Sequence, residues 1–246
     1  MPASIFSRSS LSGFAMLLTL MILLPASICV AESEGKQGFK PLFDGKTLNG
    51  WVQRGGKADY TVTDGTIVGT SVPDTPNSFL CTDRDYADFV LELEFKVDPI
   101  LNSGVQIRSE VFKEETTVKI KRPNGSINEK KVPAGRVHGY QIEIDPSDRA
   151  WTGGIYDEAR RGWLFDLKDS PEAQKAFRQG EWNHIKIEAI GPSIKTWLNG
   201  VLAATLEDDM TLSGFIALQV HGVGNNLERV GKAISWRNVK IKELGK

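Results

Sequence analysis

The 246-residue chain has little cysteine, only 3 histidines, no excess of either charge and hardly any helical periodicity. Its cysteines, Cys29 and Cys81, fall on either side of the cleavage expected below, so Cys81 is left alone and an intrachain disulfide is excluded. Within Ser78-Phe79-Leu80-Cys81 that thiol reads as a small buried hydrophobe rather than a nucleophile. Lys and Arg total 30 against 31 Asp and Glu, a net charge of −1, which argues against nucleic acid or an anionic membrane as partner. The apolar run Phe14 to Leu24 is shorter than the ~20 residues a spanning helix needs, so no stable membrane insertion is expected. Lying after Arg8 and before Cys29-Val30-Ala31, it predicts a secretory signal peptide over residues 1–31 and export to a periplasm or the medium. With no internal repeat or low-complexity linker, residues 32–246 read as one domain, long enough to bury a core without disulfides.

What is present is alternation. Leu91, Leu93, Phe95 and Val97 point one way along Phe89 to Val97, while Glu92, Glu94 and Lys96 point the other. Ile185 and Ile187 repeat the pattern, as do Trp236, Val239 and Ile241 near the end. Ile194 to Leu198 and Val201 to Leu206 flank Asn199-Gly200, a pair suited to a type I′ hairpin turn. Two segments break the rhythm. Ser170-Pro171-Glu172 starts a short helix that Gly180 is expected to end. Residues 111–137 form an inserted charged hairpin, with Thr116 to Arg122 and Ile127 to Val132 as its strands and Lys119, Lys121, Arg122, Lys130 and Lys131 along it. About a dozen short antiparallel strands without βα alternation predict an all-β sandwich of two stacked sheets.

Chemistry on such a fold belongs to a sheet face or rim, and three strands carry suitable side chains. Between Ser103 and Glu110, Val105 and Ile107 take the core side and Gln106 and Arg108 the other. From Gly139 to Asp145, Tyr140, Ile142 and Ile144 are the apolar set, and Gln141, Glu143 and Asp145 the polar one. Gln219 and His221 show the same parity after Leu218. Glu143 and Asp145 stand close enough on one side for each to raise the other's pKa, which suits acid and base work. His221 ends its strand before Gly222 and is the best placed histidine, because an imidazole titrates near neutral pH. His138 has core-side parity at a strand start, and His184 lies on a solvent face. The glycine-bounded loop Trp151 to Trp163 offers Tyr156 and Arg160 for ligand contact.

These segments, with Gly38-Phe39-Lys40-Pro41-Leu42-Phe43-Asp44-Gly45, Glu181-Trp182-Asn183-His184 and Trp236-Arg237-Asn238-Val239, resemble the 3-keto-disaccharide hydrolase family over nearly all of the mature length. The resemblance implies a concanavalin-A-like jelly roll acting on a carbohydrate whose 3-hydroxyl a partner enzyme has already oxidised. The ketone acidifies the C2 proton, a base removes it, the C1 substituent leaves by β-elimination, and water adds back. Under this reading His221 or Glu143 is the base, Asp145 the acid or second carboxylate, and Arg108 the fixed cation near the ketone, while Gln106, Gln141 and Gln219 bind hydroxyls. A divalent metal is implied for some members, with His138, Glu143 or His221 as its ligands here, and no organic cofactor. A noncatalytic carbohydrate-binding module and a glucanase-like glycoside hydrolase on the same fold remain as alternatives, the latter disfavoured by Gln141 where a nucleophilic acid would stand.

Overall fold

A computed structural model describes residues 38–121 and 126–245. The expected signal peptide lies outside the described residues, as does the turn of the charged hairpin. The strands in the first half are β1 (Lys40–Pro41), β2 (Trp51–Gly55), β3 (Asp59–Thr63), β4 (Thr66–Thr70), β5 (Ser78–Thr82), β6 (Phe89–Val97), β7 (Ser103–Val111), β8 (Thr116–Lys121) and β9 (Ile127–Val132). There follow β10 (Val137–Ile144), β11 (Ile155–Glu158), β12 (Gly162–Phe165), the helix α1 (Pro171–Ala176), β13 (Asn183–Ile190), β14 (Ser193–Leu198), β15 (Val201–Glu207), β16 (Phe215–Val220) and β17 (Ala233–Glu243). The surplus over the expected dozen consists of pieces such as β1 and β12, too short to show alternation.

Two antiparallel sheets stack. The back sheet runs β15-β14-β13-β6-β17-β4-β3, with β1 on β17, and the front sheet runs β12-β11-β10-β7-β16-β5-β2. The core between them takes the alternate residues that the sequence marks out: Leu91, Leu93 and Phe95 from the back meet Val105, Ile107, Ile142 and Leu218 from the front. Burial of such side chains, each stabilising by roughly 1.5–3 kcal/mol, is the main force holding the layers together. The β14–β15 hairpin closes through Asn199 (φ 48°) and Gly200 (φ 86°), the two positive dihedrals a type I′ turn requires.

β8 and β9 of the charged excursion pair antiparallel with each other in a separate two-stranded sheet. The helix stops at Ala176, short of the expected Gly180, because Phe177 already adopts an extended backbone (φ −69°, ψ 133°) and stacks its ring on Phe95. Among the described residues no helix is long and apolar enough to cross a membrane.

One bulge redirects a side chain. β7 slips register against both β10 and β16 near Arg108, whose φ is 45°. An extra residue at a bulge leaves the strict alternation, and Arg108 turns away from the Gln106 face. Its guanidinium is fully buried, donates to the carbonyls of Ala87 (2.9 Å) and Gly191 (2.6 Å), and pairs with Asp88 at 3.1 Å. It clamps the two sheets at their rim, which corrects the expected role of a cation beside the ketone.

Candidate active site

On the outer face of the front sheet, neighbouring strands bring a row of polar side chains into line. Gln141 lies opposite Gln106 on one side and Tyr156 on the other, and Tyr156 lies opposite Trp163. One step along, Gly104 sits between Glu143 and Gln219. With no side chain at Gly104, Gln141 lies down across it: a Cβ built there would stand 2.5 Å from Gln141 Cγ. The result is a buried chain of hydrogen bonds. Ser109 Oγ donates to Gln106 Oε1 (2.9 Å), Gln106 Nε2 and Gln219 Nε2 each donate to Gln141 Oε1 (2.7 Å), and Gln141 Nε2 donates to Glu143 Oε2 (2.9 Å). Asn102 Nδ2 completes the carboxylate's shell by donating to Oε1 at 2.7 Å.

This row floors a polar hollow of about 380 Å³, into which Glu143, His221, Arg149, Gln219, Tyr156 and Trp163 project. Burial pushes the Glu143 carboxyl above its usual range; the amide hydrogen bonds from Asn102 and Gln141 pull the other way, Asp145 adds to the rise, and Arg149 opposes it. The net direction keeps a proton on Glu143 to higher pH than an exposed glutamate would allow. His221 Nδ1 lies 2.8 Å from the Gly222 carbonyl, which can only accept, so Nδ1 carries the proton and Nε2 holds the lone pair of the neutral ring. Gln219 Oε1 is buried without a protein partner and is an acceptor for a ligand hydroxyl.

Two arginines line the hollow: Arg136, ion-paired with Glu158, and Arg149 beside Glu143. Arg149 Nε bonds Asp145 Oδ2 at 2.7 Å, its Nη2 lies 3.7 Å from Glu143 Oε1, and its guanidinium packs 4.6 Å from the Trp151 ring and 5.1 Å from that of Trp163. Asp145 is spent in holding that arginine and the Ser147 backbone and hydroxyl, and it lies outside the hollow that contains Glu143. It is a positioning residue rather than the second acid. Trp163 stands edge-on to Trp151 and Tyr156, with centroids 4.8 and 5.3 Å away, forming an aromatic wall.

Of the sequence-predicted residues, Glu143, His221, Gln141, Gln219 and Tyr156 line the hollow, and Gln106 supports it from beneath. Arg108 and Arg160 do not. Arg160 bonds Asp157 (2.7 Å) and Thr211 (2.6 Å), because Asp157 faces inward between the outward Tyr156 and Glu158 and draws the arginine with it. His138 is 1 % exposed, stacks 4.3 Å from Phe112, and has neither ring nitrogen bonded; burial and, next, Arg160 lower its pKa to about 4. It is a neutral interior residue outside the hollow. Among the described residues no three His, Cys, Asp or Glu side chains converge on a metal position. Without such a set the described residues do not assemble a metal site, and no step below passes through one. Cys81 is fully buried with its thiol pushed up to about 12 by burial, against the opposing charge of Arg54, as suits an inert core residue.

The sequence reading missed Asn102, Arg149 and Arg136, which come from connections where strand parity says nothing. The one available signal was Arg149 four residues after Asp145, a spacing at which an arginine can turn back onto its acid. A larger hollow of about 460 Å³ lies on the back sheet beside Phe43, Glu94 and His184. Glu94 there is committed to Arg237 and Asn238, and Glu92, which His184 faces at 3.7 Å, is held by Lys240 at 2.9 Å.

Fold and site together define a concanavalin-A-like β-sandwich with a polar pocket on one sheet face. The chain belongs to the family of 3-keto-alpha-glucoside-1,2-lyase-like domains, whose model matches residues 38–242. A 3-keto-disaccharide hydrolase from Bacteroides thetaiotaomicron is 26% identical over 239 residues, covering 84% of this chain and 79% of that protein. Two solved structures share the fold: a putative glycosyl hydrolase from Parabacteroides distasonis (TM-score 0.55, 20% identity, 88% of this chain and 98% of that one) and a galectin-like protein of unknown function from Bacillus subtilis (TM-score 0.56, 12% identity, 83% and 94%).

Proposed function

We propose that the protein cleaves glycosidic bonds of 3-keto-glycosides or 3-keto-disaccharides by elimination and hydration. The observation that carries the reading is the carboxyl of Glu143, buried and inclined to hold its proton, beside a histidine with a free lone pair and a fixed arginine. His221 Nε2 takes the C2 proton of the oxidised sugar, and the electron pair moves onto the 3-oxygen, where Arg149 supplies the opposing charge. The pair returns to form the C1–C2 double bond as the C1–oxygen bond breaks, and Glu143 protonates the leaving oxygen. Water then adds across that bond: its oxygen joins C1, its proton goes to Glu143, and His221 returns a proton to C2. Both residues end as they began.

The family membership, the sugar-directed name of the Bacteroides relative and the aromatic wall beside the amide row support a carbohydrate substrate. An enzyme that oxidises a sugar 3-hydroxyl must act upstream. Export, which the leader at 1–31 suggests, belongs to the same proposal and is checked by N-terminal sequencing of the processed protein from cell fractions.

The test is sugar release from a 3-keto-disaccharide and from its unoxidised parent by wild type, Glu143→Gln and His221→Ala. Cleavage of the keto substrate alone, reduced about 10²–10⁴-fold in each variant, is the expected result. Equal cleavage of both sugars would favour the glucanase-like reading, and retained binding without cleavage the binding module.

A further inference from the structure

We infer that the leaving group of the substrate occupies a second hollow adjoining the first, and that this subsite favours an apolar, aromatic aglycone over a second sugar; the inference rests on the function proposed above. The second hollow, about 330 Å³, shares Asn102 and Arg149 with the first as a common wall. Glu143 accepts from Asn102 at 2.7 Å and lies 3.7 Å from Arg149, so the proposed leaving-group acid stands at that wall. A bond that Glu143 helps to break therefore has one partner on each side. Each hollow lies within the range of about 300–1,000 Å³ that accommodates small ligands.

The two hollows differ in chemistry. The first is floored by amides, of which Gln219 Oε1 is left without a protein partner. The second is walled by Pro99, Ile100 and Pro146, and its acid, Asp145, is consumed by Ser147 and Arg149. Its surface is mostly apolar where that of the first is mostly polar, and Asp145, Ser147 and Arg149 are bonded to one another, so a pyranose leaving group with hydroxyls on every edge would find fewer partners there than in the first hollow. A planar apolar ring would cover Ile100, which is 41% exposed, and would meet the exposed Arg229, whose guanidinium can stack on an aromatic face. Three separate connections supply these groups: the crossover from β6 to β7, the loop from β10 to β11, and the segment from β16 to β17.

The experiment uses the full chain and three 3-keto-glucosides with methyl, glucosyl and phenyl leaving groups, with wild type, Ile100→Asp and Arg229→Ala. KM is read apart from kcat, because a phenoxide departs more readily whatever it touches. Wild type is expected to show its lowest KM with the phenyl compound. Ile100→Asp should raise that KM about 10-fold or more relative to the change with methyl, and Arg229→Ala should shift it in the same direction. Ile100 and Arg229 are surface residues, so both variants fold, and matching melting temperatures confirm it. Cleavage of all three compounds with KM changes independent of the leaving group, or largest for glucosyl, overturns the subsite and leaves the function standing. No cleavage of any compound by wild type overturns both.

Discussion

Gly104→Ala isolates the packing beneath the catalytic row, because the position has an ordinary backbone dihedral and the added methyl acts by contact alone. Its Cβ would stand 2.5 Å from Gln141 Cγ, 2.6 Å from Cδ and 2.9 Å from Nε2. Ordinary carbon contacts need about 3.5–4.0 Å, so the Gln141 side chain must move by roughly 1 Å. It has little freedom to do so: Gln106 and Gln219 both hold its Oε1 at 2.7 Å and Glu143 accepts from its Nε2 at 2.9 Å. A shift of that size breaks or stretches these bonds, each contributing about 1 kcal/mol net, and overpacking adds roughly 1–3 kcal/mol. The expected loss is about 2–4 kcal/mol in urea unfolding, and a displacement of about 1 Å at Glu143 should lower kcat on the order of 100-fold. An unfolding midpoint and kcat both matching wild type would refute the claim that Gly104 exists to make room for Gln141.

Three further outcomes follow from the same contacts. The stability of Glu143→Gln relative to wild type should rise progressively as pH rises above 4.5, the ordinary glutamate value, toward the raised folded value, because over that window the wild-type protein increasingly bears the cost of ionising a buried carboxyl; the amide also costs a pH-independent amount, since one of the donors Asn102 and Gln141 then faces an NH2, and melting temperatures across pH 4–9 that differ by a constant amount would show that burial does not dominate. His138 has its folded pKa depressed to about 4 from 6.5, so the stability it contributes is complete above pH 6.5 and lost as pH falls toward 4, amounting to about 3 kcal/mol; His138→Phe should flatten that part of the acid-unfolding profile, and an unchanged profile would count against it. Arg149→Lys keeps the charge but loses the planar fork that bonds Asp145 while packing on Trp151 and Trp163, so kcat should fall on the order of 10-fold or more with little change in melting temperature. Full activity in that variant would mean that charge alone suffices.

Alternation, turn chemistry and composition are local properties, and they were legible in the chain itself. They determined that Leu91, Leu93 and Phe95 face a core, that Asn199-Gly200 closes a hairpin, and that Gln106, Gln141, Glu143 and Gln219 share the opposite face of their strands. The two-residue period of a strand requires that much once the apolar side is buried. Tertiary structure decided the rest. A bulge in β7, set by pairing with strands distant in sequence, broke the period at Arg108 and sent a presumed active-site cation into the rim between the sheets. Asp145, of correct parity, was taken by Arg149, and that arginine with Asn102 entered from loops whose course no periodicity encodes. Local alternation assigns each side chain to one face of its strand; which of those side chains meet depends on the packing of connections from opposite ends of the chain, because closing those contacts rests on long-range burial and pairing rather than on any neighbour in the chain.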